Sequence, residues 1–192
     1  MHPVPVVASR EHAGLSTPSP VVTQQTVRKM GEHIQNALAD PLIRQIAASA
    51  STQSDPLSAL WWWVKHAIRF RQDDSLILEL FNEKDHFELL ISPPVLIRMK
   101  RPQGDCDDFT MVMLALACCA GYRVRIVTVQ CDRARPAEYS HVYGEALIPQ
   151  GWMPLDASHG TYPGWEVPAR DILRKTSWTL DGYVAHDERR AA

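Results

Sequence analysis

Several features are missing from this 192-residue chain, and each absence removes a class of function. No run of about 20 apolar residues occurs, so no bilayer-spanning helix and no membrane partner are expected. Basic and acidic residues nearly balance, 20 against 22, and are interspersed along the chain. Without a basic face there is no electrostatic footprint for nucleic acid. Neither Cys-x-x-Cys nor His-x-x-x-His occurs, the short-range pairs that zinc sites normally carry, so no metal or cofactor is expected. Residues Met1 to Ala8 lack a basic start and a sustained apolar run, and Pro3 and Pro5 interrupt them; they do not read as a signal peptide. With four cysteines, Cys118 and Cys119 being adjacent, the thiols are expected to stay reduced in a cytoplasmic location.

What is present suffices for one buried core, since 45% of the residues are hydrophobic. Residues 1–22 hold Pro3, Pro5, Pro18 and Pro20 and read as a flexible, extended arm; 23–186 read as one α+β domain and 187–192 as a polar tail. Val27, Met30, Ile34 and Leu38 recur at helical spacing up to Asp40-Pro41, and a second helix follows with Leu42, Ile43 and Ile46. Asp55-Pro56 restarts a helix whose Leu57, Leu60, Trp61, Val64 and Ile68 share one face. Trp62 and Trp63 point elsewhere, and core packing is the expectation for both. The segment 75–91 yields no clear element from pattern alone.

The richest stretch is Gly104-Asp105-Cys106-Asp107-Asp108, where a thiol stands at the start of an apolar helix, Phe109 to Ala120, closed by Gly121. Unpaired backbone N–H groups and the positive helix end both favour a thiolate there. The neighbouring aspartates read as exposed carboxylates that complement the helix dipole. One such carboxylate about 7 Å from the sulfur costs the anion about 0.6 kcal/mol in water, whereas an imidazolium at about 4 Å contributes about 1 to 4 kcal/mol. A nearby histidine therefore decides the matter. Tyr122 to Val129 reads as a strand, His141 to Leu147 as a second with His141 at its start, and Pro149-Gln150-Gly151-Trp152 as a turn into a short third strand ending at Asp156. That arrangement can supply the three parts of nucleophilic catalysis: Cys106 as nucleophile, His141 as base and Asp156 to fix the imidazole tautomer. His159 is the rival base. Cys106, Asp107, Asp108, His141 and Asp156 are also possible metal ligands, but no short-range pair supports that use. Cys118 and Cys119 read as packing residues on the apolar helix.

The ordered set Gly104-x-Cys106, Gly121, His141 and Gly151-Trp152-Met153-Pro154-Leu155-Asp156 resembles the transglutaminase-like superfamily, a branch of the papain-like cysteine fold. The resemblance extends upstream through Trp63 to Asp73 and covers about half the chain. It implies an α+β core with the cysteine helix packed on an antiparallel sheet. It also implies acyl transfer or hydrolysis at an amide bond of a protein or peptide, through a thioester on Cys106. The Cys106 N–H is the natural first oxyanion donor. Gln103 has the chemistry of a second, although the family usually places that group elsewhere upstream. The superfamily contains proteases, amidases, cross-linking enzymes and members without catalysis. An amine-accepting transglutaminase and a non-catalytic phage or virion assembly module are therefore the alternatives, and neither the substrate nor the oligomeric state follows from the sequence.

Overall fold

A computed structural model describes residues 6–9, 19–81 and 88–189. Strand β1 (Val6–Ser9) precedes helices α1 (Ser19–Ala37), α2 (Pro41–Ala50) and α3 (Pro56–Ala67). Next come β2 (Arg69–Phe70), α4 (Asp73–Phe81), β3 (Glu88–Ile91), the short α5 (Pro93–Leu96), β4 (Gln103–Gly104) and α6 (Cys106–Cys119). The chain then enters β5 (Val124–Gln130), β6 (His141–Ile148), β7 (Gly151–Pro154), β8 (Arg174–Trp178) and β9 (Val184–Arg189). The last five strands form one antiparallel sheet in the order β7-β6-β5-β8-β9. Two small pairs stand apart from it: β1 with β3, antiparallel, and β2 with β4, parallel.

The helix starts follow local chemistry. Asp40 caps α2 by accepting from the N–H groups of Leu42 and Ile43 at 2.9 and 3.2 Å, and Pro41 sits where no N–H is needed. Asp55 and Pro56 repeat the device at α3. Asp105 caps α6 by accepting from Asp107 N at 3.2 Å, which makes Cys106 the first helical residue. At the far end of α6, Gly121 takes φ 92°, a left-handed value that suits glycine, and Tyr122 N donates back to Ala117 O at 3.0 Å.

Helix α6 is buried all round from Asp107 to Ala117, as its nearly continuous apolar sequence requires. Buried residues of α1, α2 and α3, among them Met30, Ile43, Leu60 and Trp61, join it in one core with Ile126, Val142 and Ala146 of the sheet. Gly144 on β6 permits that approach: a Cβ built there would lie 2.3 Å from Leu114 Cδ2.

The structure corrects four expectations. Within the segment 1–22, expected as a flexible arm, Val6–Ser9 pairs with Ile91–Glu88 and α1 begins at Ser19; the β-branched pair Val6-Val7 suits a strand. The polar tail at 187–192 begins too early, because Asp187, Glu188 and Arg189 belong to β9. Asp187 is anchored by Arg174, whose Nε and Nη2 donate to its two oxygens at 2.8 and 2.7 Å. An edge strand needs only backbone partners, so β9 can be polar from His186 onward. Trp62 does not pack in the core; it is 44% exposed and stacks on His66, with ring centroids 5.5 Å apart. Asp107 and Asp108 are buried rather than solvated. The segment 75–91 contains the rest of α4 and β3, and its residues 82–87 lie outside the described ones.

Candidate active site

Three elements converge on Cys106. The α6 N-terminus carries the thiol, β6 begins at His141, and the β6–β7 hairpin returns the chain so that Asp156 follows β7. The register pairs Glu145 with Pro154 and Ile148 with Gly151, and Leu155 N donates to Gly144 O at 2.8 Å. Continuing that register sets Asp156 diagonally opposite His141 on the same side of the hairpin. The result is a bond of 2.7 Å between His141 Nε2 and Asp156 Oδ2, both residues being buried.

Asp156 is held from its other side as well. Its Oδ1 accepts from Ser158 N at 3.0 Å, Ser158 Oγ at 2.8 Å and His159 N at 2.9 Å. Burial pushes this carboxyl up, but the hydrogen bond and charge of His141, with the backbone and hydroxyl donors, outweigh burial and leave it below the usual carboxylate range. An ionised Asp156 accepts Nε2–H, so the ring presents bare Nδ1 as its basic atom.

Cys106 and His141 face one cavity of about 490 Å³, walled on the far side by Thr23, Val27 and Met30 of α1. Thr110, one turn into α6, ties these walls together. Its Oγ1 lies 2.7 Å from Cys106 O and 3.3 Å from Val142 O, within donating reach of both. The cysteine is half-buried at a helix N-terminus and lines the same cavity as an imidazole oriented by a carboxylate. This arrangement is competent for general-base activation of a thiol.

The family model for the transglutaminase-like superfamily matches residues 40–157, more than half of the chain. The chain belongs to the transglutaminase-like superfamily. Its fold, a helix set against an antiparallel sheet, is the α+β arrangement of that superfamily, a family of cysteine-dependent enzymes. Among solved structures it is similar to a chain from Cytophaga hutchinsonii described as a candidate cysteine protease, with 18% identity and a TM-score of 0.46. That similarity covers 68% of this chain and 39% of the other, so this chain spans less than half the length of that protein. No curated protein matches.

The other candidates fall into place around the superfamily match. His159 lies beside His141, ring centroids 4.6 Å apart in an edge-on contact. Its Nδ1 is 3.0 Å from Ser158 Oγ, and it does not line the cavity shared by Cys106 and His141. Desolvation, then the charge of His141, lower its pKa. Gln103 sits in β4, where its Oε1 accepts from Arg71 Nη1 at 3.2 Å; it does not line the cavity. His141, Asp156 and His159 bring ligand-capable atoms within 4.8 Å of one another. Within that set, the direct His141–Asp156 bond and three donors on Asp156 Oδ1 hold His141 and Asp156 together as a dyad.

Sequence reasoning missed the supports of this site. Ser158 and the His159 N–H form an Asx-type turn on Asp156, a pattern readable as Asp-x-Ser after a strand. Lys65 of α3 donates to Ser158 O at 3.0 Å and fixes the same turn. Gly160 allows it to close, since a Cβ there would lie 2.1 Å from Asp156 O. The wall from α1 has no local signal, because its Val27 and Met30 read only as core.

Proposed function

We propose that this protein is a cysteine hydrolase acting on an amide bond of a protein or peptide, with Cys106 as nucleophile, His141 as general base and acid, and Asp156 as the group that orients the imidazole. The observation that carries this is the 2.7 Å bond between His141 Nε2 and Asp156 Oδ2, made by a histidine that shares a cavity with Cys106. With Nε2–H engaged, Nδ1 takes the thiol proton. The thiolate attacks the carbonyl carbon, and the Cys106 N–H at the α6 N-terminus faces the developing oxyanion. Collapse breaks the C–N bond as His141 returns its proton to the amine, which leaves as the thioester forms. Water, deprotonated by His141, then attacks the thioester and releases the acid and the thiol. Gln103 is the candidate for a second oxyanion donor by its amide chemistry. An amine entering in place of water makes the same scheme a cross-linking transglutaminase.

The test pairs reactivity with turnover. The expected result is that iodoacetamide labels Cys106 fastest among the four thiols, and that the protein releases ammonia or amine from glutamine-containing or peptidyl amides. Incorporation of a fluorescent primary amine in preference to hydrolysis would establish the cross-linking reaction. Slow labelling of Cys106 and no turnover on any amide would replace the enzyme with a non-catalytic assembly module. A reduced cytoplasmic setting, or one in a virion, accords with thiols that form no disulfide among the described residues.

A further inference from the structure

The acyl-transfer scheme gives no part to the His159 side chain, although it stands at the end of a hydrogen-bond chain that reaches His141. Its backbone N–H is one of the three donors on Asp156 Oδ1, a bond that any residue at 159 except proline would make. The ring does something separate. Its Nδ1 lies 3.0 Å from Ser158 Oγ, which in turn lies 2.8 Å from Asp156 Oδ1.

Proton counting gives the chain its direction. An ionised Asp156 only accepts, and Ser158 has a single hydroxyl hydrogen. The carboxylate oxygen at 2.8 Å holds that hydrogen against a neutral imidazole nitrogen at 3.0 Å, because charge-assisted bonds are the stronger ones. Ser158 Oγ therefore accepts from His159, whose proton sits on Nδ1. A hydroxyl that accepts one hydrogen bond donates the next more strongly, so the ring at 159 tightens the grip on Asp156 Oδ1. His141 Nε2–H then has Oδ2 as its partner. The His159 ring is itself held in place: Phe70 meets it edge-on at 4.9 Å between centroids, and Phe70 faces Phe109 of α6 at 6.3 Å. Desolvation and then the charge of His141 lower the His159 pKa, with Asp156 opposing and Lys65 adding to the effect. Near pH 7 the ring is therefore neutral, and the proton taken from the thiol stays on His141.

We propose that His159 is a positioning residue for the His141–Asp156 pair: its Nδ1–H locks the Ser158 hydroxyl onto Asp156 Oδ1, which reserves Oδ2 for His141. This rests on the reading of Cys106 as nucleophile and His141 as base. The lock keeps the carboxylate from rotating, and the edge-on ring contact at 4.6 Å restrains the imidazole from turning over. Both restraints serve one end. His141 must present bare Nδ1 to the thiol, and a carboxylate free to turn would hold that tautomer less strictly. Because Nδ1–H is present in neutral and protonated His159 alike, the lock does not depend on the ring's charge.

The test separates the donor from the ring. His159→Phe keeps an aromatic ring and removes the donor, whereas His159→Asn removes the ring and keeps an amide N–H near the place of Nδ1. In the intact chain, the rate of iodoacetamide labelling of Cys106 is followed across a pH series by mass spectrometry, beside thermal melts. His159→Phe should slow labelling near neutral pH by roughly twofold to tenfold, the range that one neutral hydrogen bond accounts for, and move the profile toward that of an ordinary thiol. His159→Asn should recover most of the wild-type rate. In a Ser158→Ala background, His159→Phe should have no further effect, because the two residues act through one chain. If Ser158→Ala fails to fold, the Phe and Asn variants decide. A folded His159→Phe with the wild-type profile would overturn the inference alone, and so would equal impairment by Phe and Asn or an undiminished effect of Phe in the Ser158→Ala background. A wild-type Cys106 that labels no faster than an ordinary thiol at any pH would overturn the nucleophile reading itself, and the inference with it.

Discussion

Replacing Asp156 by Asn changes one atom of a buried group that accepts four hydrogen bonds, and the two sides of that group respond differently. Toward Ser158 and His159 an Asn oxygen still accepts all three bonds, so the turn after β7 persists. Toward His141 an NH₂ replaces Oδ2, and two N–H donors cannot face each other at 2.7 Å. The imidazole escapes by moving its proton from Nε2 to Nδ1, the atom required to accept the thiol proton. In stability, a charged hydrogen bond of about 1.5 to 3 kcal/mol becomes a neutral one of about 0.5 to 1.5. The net loss is about 1 to 2 kcal/mol, or a Tm lower by roughly 2 to 8 °C. In rate, the wrong tautomer costs on the order of 10⁴, equivalent to about 5.5 kcal/mol of barrier. The two effects differ enough to be read separately. Iodoacetamide labelling of Cys106 across a pH series, followed by mass spectrometry, needs no known substrate and reports thiolate formation directly. Wild type should label well below the pH of an ordinary thiol, whose pKa is about 8.5, and Asp156→Asn should move the profile toward that value. Identical profiles in the two proteins, with the variant folded, would refute the proposed role of the His141–Asp156 bond.

Four further outcomes are expected. Cys106 should label ahead of the other thiols at pH 8, because burial pushes Cys118 up to about 11 and also raises Cys119, while Cys131 has no imidazole partner among the described residues; faster labelling of Cys131 by mass spectrometry would contradict this. Gly144→Ala should destabilise by about 1 to 3 kcal/mol in a urea melt, because the added methyl meets Leu114 in a packed core; an unchanged midpoint would refute that contact. In thermal melts, Asp108→Asn should be more stable than wild type at neutral pH and not at acid pH: a carboxyl raised by folding favours the folded state while protonated, and that advantage is lost as pH rises from its unfolded value of about 3.9 through its folded value. Asp156, lowered by folding, has the opposite sign, stabilising above about pH 4 and losing that contribution as pH falls through its folded pKa; melts of wild type and Asp156→Asn between neutral and strongly acid pH should therefore converge on acidification.

Local chemistry in the sequence determined much of this protein. Asp40-Pro41 and Asp55-Pro56 announce α2 and α3 because capping and proline geometry act within a single turn. The apolar helix ending at Gly121 and the strand beginning at His141 follow from periodicity and from a position that needs positive φ. The spacing of His141, the Gly151-Trp152 turn and Asp156 was enough to foresee their meeting, because a hairpin's register is set by its turn. Only the tertiary structure decided the rest. The segment of β9 from His186, polar in sequence, becomes a strand because β8 offers it backbone partners, which no local pattern reveals. Asp107 and Asp108 read as solvated dipole partners from sequence. Folding instead buries Asp108 against β3 and Asp73, joining residues 35 positions apart into one carboxylate cluster. The wall that α1 gives to the cavity also arises from long-range packing alone, through Val27 and Met30, which local pattern shows only as apolar. The position of Cys106 was written locally, whereas its surroundings depend on which distant segments share its core.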